Sequence, residues 1–181
     1  SHMPLFNSFH PLFILFFILM GWLNLQSQDA INTDADPTEI LNRWSGEWTT
    51  TSVFKKSLWF PKRLKTEGTA TTQLIMHNTY QQTLSSTENE QTIELTRFDD
   101  SAGKFKKWVF EEDGTTSTWL GRWDEASSTM TWTYVDYTGS GLYGRMIEKF
   151  KDNNSLQISI VLENSDGQKL LNVVIAQIKV L

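Results

Sequence analysis

From Glu47 onward, apolar and polar positions exchange every second residue over short runs rich in β-branched and aromatic side chains. That period puts alternate side chains on opposite faces of an extended strand, whereas a helix would repeat near every third or fourth residue. Clusters of Asp, Asn, Ser and Gly, which favour turns, separate the runs. The pattern predicts strands over Trp48–Val53, Gly68–His77, Tyr80–Ser86, Thr92–Phe98, Lys104–Glu111, Thr115–Trp123, Thr129–Tyr134, Leu142–Phe150, Leu156–Leu162 and Lys169–Val180. Alternation is clearest where Leu156, Ile158, Ile160 and Leu162 oppose Gln157, Ser159 and Glu163. Asn78, which tolerates positive φ, is read as turning or bulging the chain after the second run. Short turns between consecutive strands make an all-β antiparallel meander of roughly eight to ten strands. A sheet of that length must close or fold over to hide its edges. A closed barrel is expected, with a two-sheet sandwich as the other arrangement.

A short helix is predicted ahead of the strands. Asp36 can cap it, Pro37 suits its first position, and Glu39 stands three residues after the cap, where its carboxylate can reach back. Ile40, Leu41 and Trp44 share one face, and Ser45-Gly46 ends it. Further upstream, Ser1-His2-Met3 is read as the scar of an expression tag. The apolar run Pro11–Leu23 suits a secretory signal better than a bilayer span, which needs about 20 such residues. Cutting after Ser27 would put a small residue at the break. The stretch from His2 to His10 carries no Lys or Arg, so a retained short anchor is the other reading. The expected organisation is residues 1–28 as tag remnant and signal, 29–36 as a flexible lead-in, and 37–181 as one barrel domain, exported to the periplasm or beyond.

About 150 residues remain, enough for one domain with a real core. The chain has no Cys, which removes disulfides, a thiol nucleophile and thiolate metal sites together. A formal net charge of −5, with both signs scattered, argues against a nucleic-acid partner. Eight Trp residues are many for this length and suit either a β core or a site for an apolar ligand.

Two stretches resemble known families. Gly46-Glu47-Trp48, following a short helix, is similar to the G-x-W pattern that opens the first strand of lipocalin-like barrels. Phe98-Asp99, Gly103-Lys104-Phe105, Trp108, Asp113-Gly114, Gly121-Arg122-Trp123-Asp124 and Met130-Thr131-Trp132 together resemble the bacterial exported family known as domain of unknown function 1579. The likeness covers roughly Leu41 to Tyr134. The chain has His77-Asn78 where that family usually carries a Gly pair. The resemblance implies a lipocalin-like barrel and export, and no defined activity. Lipocalins also stack a last-strand cation on the first-strand Trp; the candidates here are Lys179, Arg122 and Arg145.

Candidate chemistry is sparse. His77 is the only His beyond the signal, which leaves no base–nucleophile pair to nominate. The acidic groups Asp99-Asp100, Glu111-Glu112-Asp113 and Asp124-Glu125 fall in predicted turns and lack calcium-loop spacing. No catalytic residue, metal or cofactor is expected. Asn153-Asn154-Ser155 fits a glycosylation triplet, relevant only in a eukaryotic secretory pathway. Two features carry the functional alternatives. Trp108, Phe110, Trp119, Trp132, Tyr134 and Tyr143 either line a cavity for a small hydrophobic or amphipathic ligand or simply fill the barrel. Lys55, Lys56, Trp59, Phe60, Lys62, Arg63 and Lys65 form a basic, aromatic loop. It is either a contact for a membrane surface or an envelope protein, or a surface loop folded over the barrel end.

Overall fold

The structure, a computed structural model, describes residues 35–181; the apolar run read as a signal, and the lead-in as far as residue 34, lie outside the described residues. One helix, α1 (Pro37–Asn42), precedes ten strands. These are β1 (Gly46–Phe54), β2 (Leu64–Ile75), β3 (Tyr80–Thr87), β4 (Gln91–Asp99) and β5 (Lys104–Glu111). They continue as β6 (Thr116–Asp124), β7 (Thr129–Tyr134), β8 (Tyr143–Asp152), β9 (Ser155–Glu163) and β10 (Lys169–Lys179). Each strand pairs antiparallel with its sequence neighbours, and β1 also pairs with β10 from Trp48↔Lys179 to Phe54↔Val173. That ladder closes the meander into a barrel and excludes the sandwich. The largest difference from the alternation is at β2, which starts at Leu64 rather than Gly68 and takes Lys65 into the sheet. It also stops at Ile75, because Met76, His77 and Asn78 all take positive φ in the turn to β3. His77 is exposed there.

One end of the barrel is sealed. Asp36 caps α1 by accepting from Thr38 N at 3.0 Å, and Ile40, Leu41 and Trp44 bury the shared face. A six-residue helix has no stability of its own, so packing and tertiary hydrogen bonds hold it. Trp48 Nε1 donates to Trp44 O at 2.8 Å, and Gln81 Nε2 donates to Leu41 O at 2.7 Å. Trp44 meets Trp123 and Phe150 edge-on, with ring centroids 5.7 and 4.7 Å apart. Lys179 Nζ lies 5.0 Å from the Trp48 ring centre, so the last-strand cation is Lys179, while Arg122 and Arg145 are exposed. Gly46 makes this stack possible. Its φ is +131°, and a Cβ there would come within 3.0 Å of Lys179 Cε.

Candidate functional site

The ladder registers define which side chains point inward. Around the barrel they link Trp48, Ala70, Thr72, Thr83, Glu94, Val109 and Ser117 in one phase, and Thr96, Lys107, Trp119 and Tyr134 in the same phase one layer on. Of the six aromatics singled out, Trp119, Trp132 and Tyr134 therefore face inward, with Trp119 and Trp132 fully buried. Trp108, Phe110 and Tyr143 face outward. Trp108 packs beside Tyr80 under Lys106, and Phe110 forms an exposed cross-strand row with Ile93 and Leu84. Tyr143 is turned out because its neighbour Gly144 takes the inward position, where a Cβ would press within 2.6–3.0 Å of Leu162, Tyr134 and Trp119.

Sequence reasoning did not anticipate what occupies the middle of the barrel. Lys107 Nζ donates to Glu148 Oε1 at 2.5 Å, and Glu94 Oε1 lies 3.7 Å away. The Lys107 and Glu148 side chains are each 4% exposed. Burial alone would lower the Lys107 pKa, but the two carboxylates outweigh it and hold the ammonium above its usual value. Burial raises the Glu94 carboxyl, against the pull of Lys107. Lys107 Nζ also sits 4.6 Å from the Trp132 ring centre. Trp132 in turn occupies the space left by Gly121, where a Cβ would be 2.4 Å from the indole. This layer is a floor.

Above the floor the barrel is partly open. Inward-facing Thr50, Ser85, Thr92, Glu111, Ile160 and Ile175 keep partial exposure, so water reaches past the rim, while Ser52, Val109, Met146 and Val173 among them are buried. The interior is two-sided. Strands β1–β5 supply hydroxyls and carboxylates, and β9–β10 supply Ile160, Leu162, Leu171 and Ile175. Against the polar wall lies a pocket of about 90 Å³ bordered by Thr50, Ser52, Ser85, Thr92, Ile175 and Gln177, with Glu90 at its edge. Glu111 accepts from Thr92 Oγ1 at 3.2 Å and is pushed up to about 7, by burial first and then by the neighbouring Glu90 carboxylate. A larger cleft of about 300 Å³ lies at the sealed end beside Asn42, Phe150 and Asp152. Two of its three cations are already engaged: Arg43 with Glu125 at 2.5 Å, and Lys179 with Trp48.

The basic loop runs along the rim from β1 to β2. Phe60 stacks on inward-facing Phe54 at 4.4 Å, folding the loop over part of the mouth. Lys55 N donates to Asn172 O, Leu58 N to Lys169 O and Trp59 N to Leu170 O, at 2.7, 3.0 and 3.1 Å. Lys55, Lys56, Lys62, Arg63 and Lys65 are exposed, as is Trp59. Among the described residues no group of His, Asp or Glu is placed to hold a metal ion, and no helix is long and apolar enough to cross a membrane.

A closed ten-stranded meander, plugged by a short helix and pinned by a Lys on the first-strand Trp, is a lipocalin-like barrel. No family model matches the chain, and no curated protein matches it in sequence. Solved structures are similar to the chain, among them the following three. The chain aligns with Rv2717c from M. tuberculosis at a TM-score of 0.62 and 10% identity, over 81% of this chain and 99% of that one. The S-type phycobiliprotein lyase CPES from Guillardia theta aligns at 0.53 and 8%, over 82% and 94%. A protein of unknown function from the DUF3598 family of Nostoc punctiforme aligns at 0.51 and 11%, over 77% of this chain; the chain spans about half, 49%, of that protein. At these identities the likeness is one of fold.

Proposed function

We propose that the open half of the barrel binds a small amphipathic molecule whose polar end donates hydrogen bonds. The observation that carries this reading is the two-sided interior above the Lys107 floor. Hydroxyls and carboxylates on β1–β5 accept from a headgroup, and the aliphatic wall on β9–β10 takes a short tail. The pocket of about 90 Å³ holds a headgroup, and the tail runs up toward the rim. From the floor upward Glu94, Glu111 and Glu148 outnumber Lys107, which favours an alcohol or ammonium over an acid. A shared fold at 8% identity transfers no activity, so the reading rests on the interior itself. On the apolar run Pro11–Leu23 we place the protein outside the cytoplasm after loss of residues 1–28, and on its motifs we relate it to the exported domain-of-unknown-function-1579 family.

Titration calorimetry with hexylamine, hexanol and hexanoate tests the binding. The amine and the alcohol are expected to bind and hexanoate is not, and Ser85→Phe, which fills the pocket, abolishes the signal without unfolding the chain. Amine affinity should rise as pH passes upward through about 7, because Glu111 then loses its proton while the amine stays charged. Equal binding of all three probes, or binding untouched by Ser85→Phe, overturns the reading.

A further inference from the structure

We infer that the β1–β2 loop docks the barrel, mouth side down, onto an anionic lipid bilayer. Three observations converge. Leu58, Trp59 and Leu64 are 55%, 55% and 45% exposed, a concentration of large apolar side chains that the fold leaves uncovered. Their exposure is built in, since the Phe54–Phe60 stack and the bonds from Leu58 N and Trp59 N to β10 hold the loop in place. Lys55, Lys56, Lys62, Arg63 and Lys65 surround them on a chain whose formal net charge is −5. Among the described residues only Lys65 of these five is ion-paired, to Glu67 at 3.0 Å.

The rest of the rim has the opposite sign. The neighbouring β3–β4 turn carries Glu88 and Glu90, and the β5–β6 turn across the mouth carries Glu112 and Asp113. An anionic surface attracts the loop and repels those turns, so the barrel tilts with its β1–β2 corner down. Trp59 and Leu58 then enter the interfacial zone, where an amphipathic indole is favoured, while the Lys and Arg heads stay with the phosphates. A protein partner would need a facing acidic surface, and nothing in the molecule indicates its shape. A bilayer needs only the cluster itself. The inference is independent of any ligand in the barrel.

Co-sedimentation with phosphatidylglycerol–phosphatidylcholine vesicles in about 0.1 M salt tests it. Wild-type protein is expected to pellet with these vesicles and not with pure phosphatidylcholine. Each Lys or Arg near such a surface changes partition roughly fivefold, so K56Q/K62Q/R63Q should lower it roughly a hundredfold. Trp59→Ser should lower it as well and abolish the vesicle-induced blue shift of tryptophan emission. K149Q/K151Q, with both changes at the sealed end, should bind like wild type. Failure of the wild-type chain to pellet, a loss with K149Q/K151Q as large as with the loop variant, or a blue shift that survives Trp59→Ser overturns the proposal. Native thermal melts of all variants separate lost docking from lost folding. Calorimetry with hexylamine should be unaffected by K56Q/K62Q/R63Q, so the two readings fail separately.

Discussion

Lys107→Met is expected to lower the unfolding free energy by about 3–5 kcal/mol at neutral pH, a large share of the stability of a domain this size. The substitution removes the ammonium and leaves Glu148 inside the barrel with its carboxylate stripped of a 2.5 Å partner, and Glu94 beside it. Glu148 cannot reach water without opening the floor, while Glu94 keeps 23% of its side chain exposed. The loss should shrink as pH is lowered. Burial already raises the Glu94 carboxyl and Lys107 is what opposes it, so without the ammonium Glu94 holds its proton more tightly folded than unfolded, and stability falls as pH rises and recovers as it drops. Lys107→Met combined with Glu148→Leu should recover most of the loss, because two apolar side chains of similar volume need no counter-charge. Urea denaturation followed by tryptophan emission measures Lys107→Met, Glu148→Leu and the double variant. Additive losses in the double variant would show that the pair is not the unit.

Trp48→Ala is expected to cost about 3–5 kcal/mol for the indole volume removed, and to release α1. Trp48 is 1% exposed, lies under Lys179, and is bonded through Nε1 to the Trp44 carbonyl just past the helix. With the ring gone, the helix loses the surface that Trp44 and Leu41 pack toward, and six residues cannot stay helical alone. Amide exchange reports this specifically. Ile40 N donates to Asp36 O within α1, and its protection should fall to that of an open chain while β9 amides stay protected. Trp48→Phe keeps the ring packing, loses only the donor, and should cost about 1 kcal/mol. If Ile40 stays protected in Trp48→Ala, the helix is held by something other than this ring.

These two sites show where the residue pattern was readable and where it was not. Alternation located all ten strands to within a few residues, since turn clusters bounded every run, and it identified the helix because Asp36, Pro37 and the apolar face agree. The phase of β5 was not readable. Its two faces are Phe105, Lys107, Val109, Glu111 and Lys104, Lys106, Trp108, Phe110, and apolarity favours the second. The fold buries the first, because Glu94 and Glu148 neutralise Lys107. A usable signal existed in β8, where Glu148 sits between Met146 and Phe150 on a face otherwise apolar. An acid in that setting asks for a base across the barrel, and β5 has one. Likewise Tyr143 is an inward candidate by residue type, but its neighbour Gly144 is the position where only a hydrogen fits. The basic loop was visible in sequence as a cluster, but its rigid exposure depends on backbone bonds to β10 that no local pattern encodes.

The central claim is that the interior is solid below Lys107 and open above it, and thiol accessibility tests it most directly, because a chain without Cys gives a clean background. Single variants Thr92→Cys and Ile175→Cys in the open half, Ala70→Cys and Met130→Cys in the sealed half, and Thr71→Cys on the outer surface would be alkylated under native conditions. Thr92→Cys and Ile175→Cys should react on the timescale of Thr71→Cys, and Ala70→Cys and Met130→Cys only at the rate of global unfolding. Equal protection at all four inward positions would mean a filled barrel and would contradict the account.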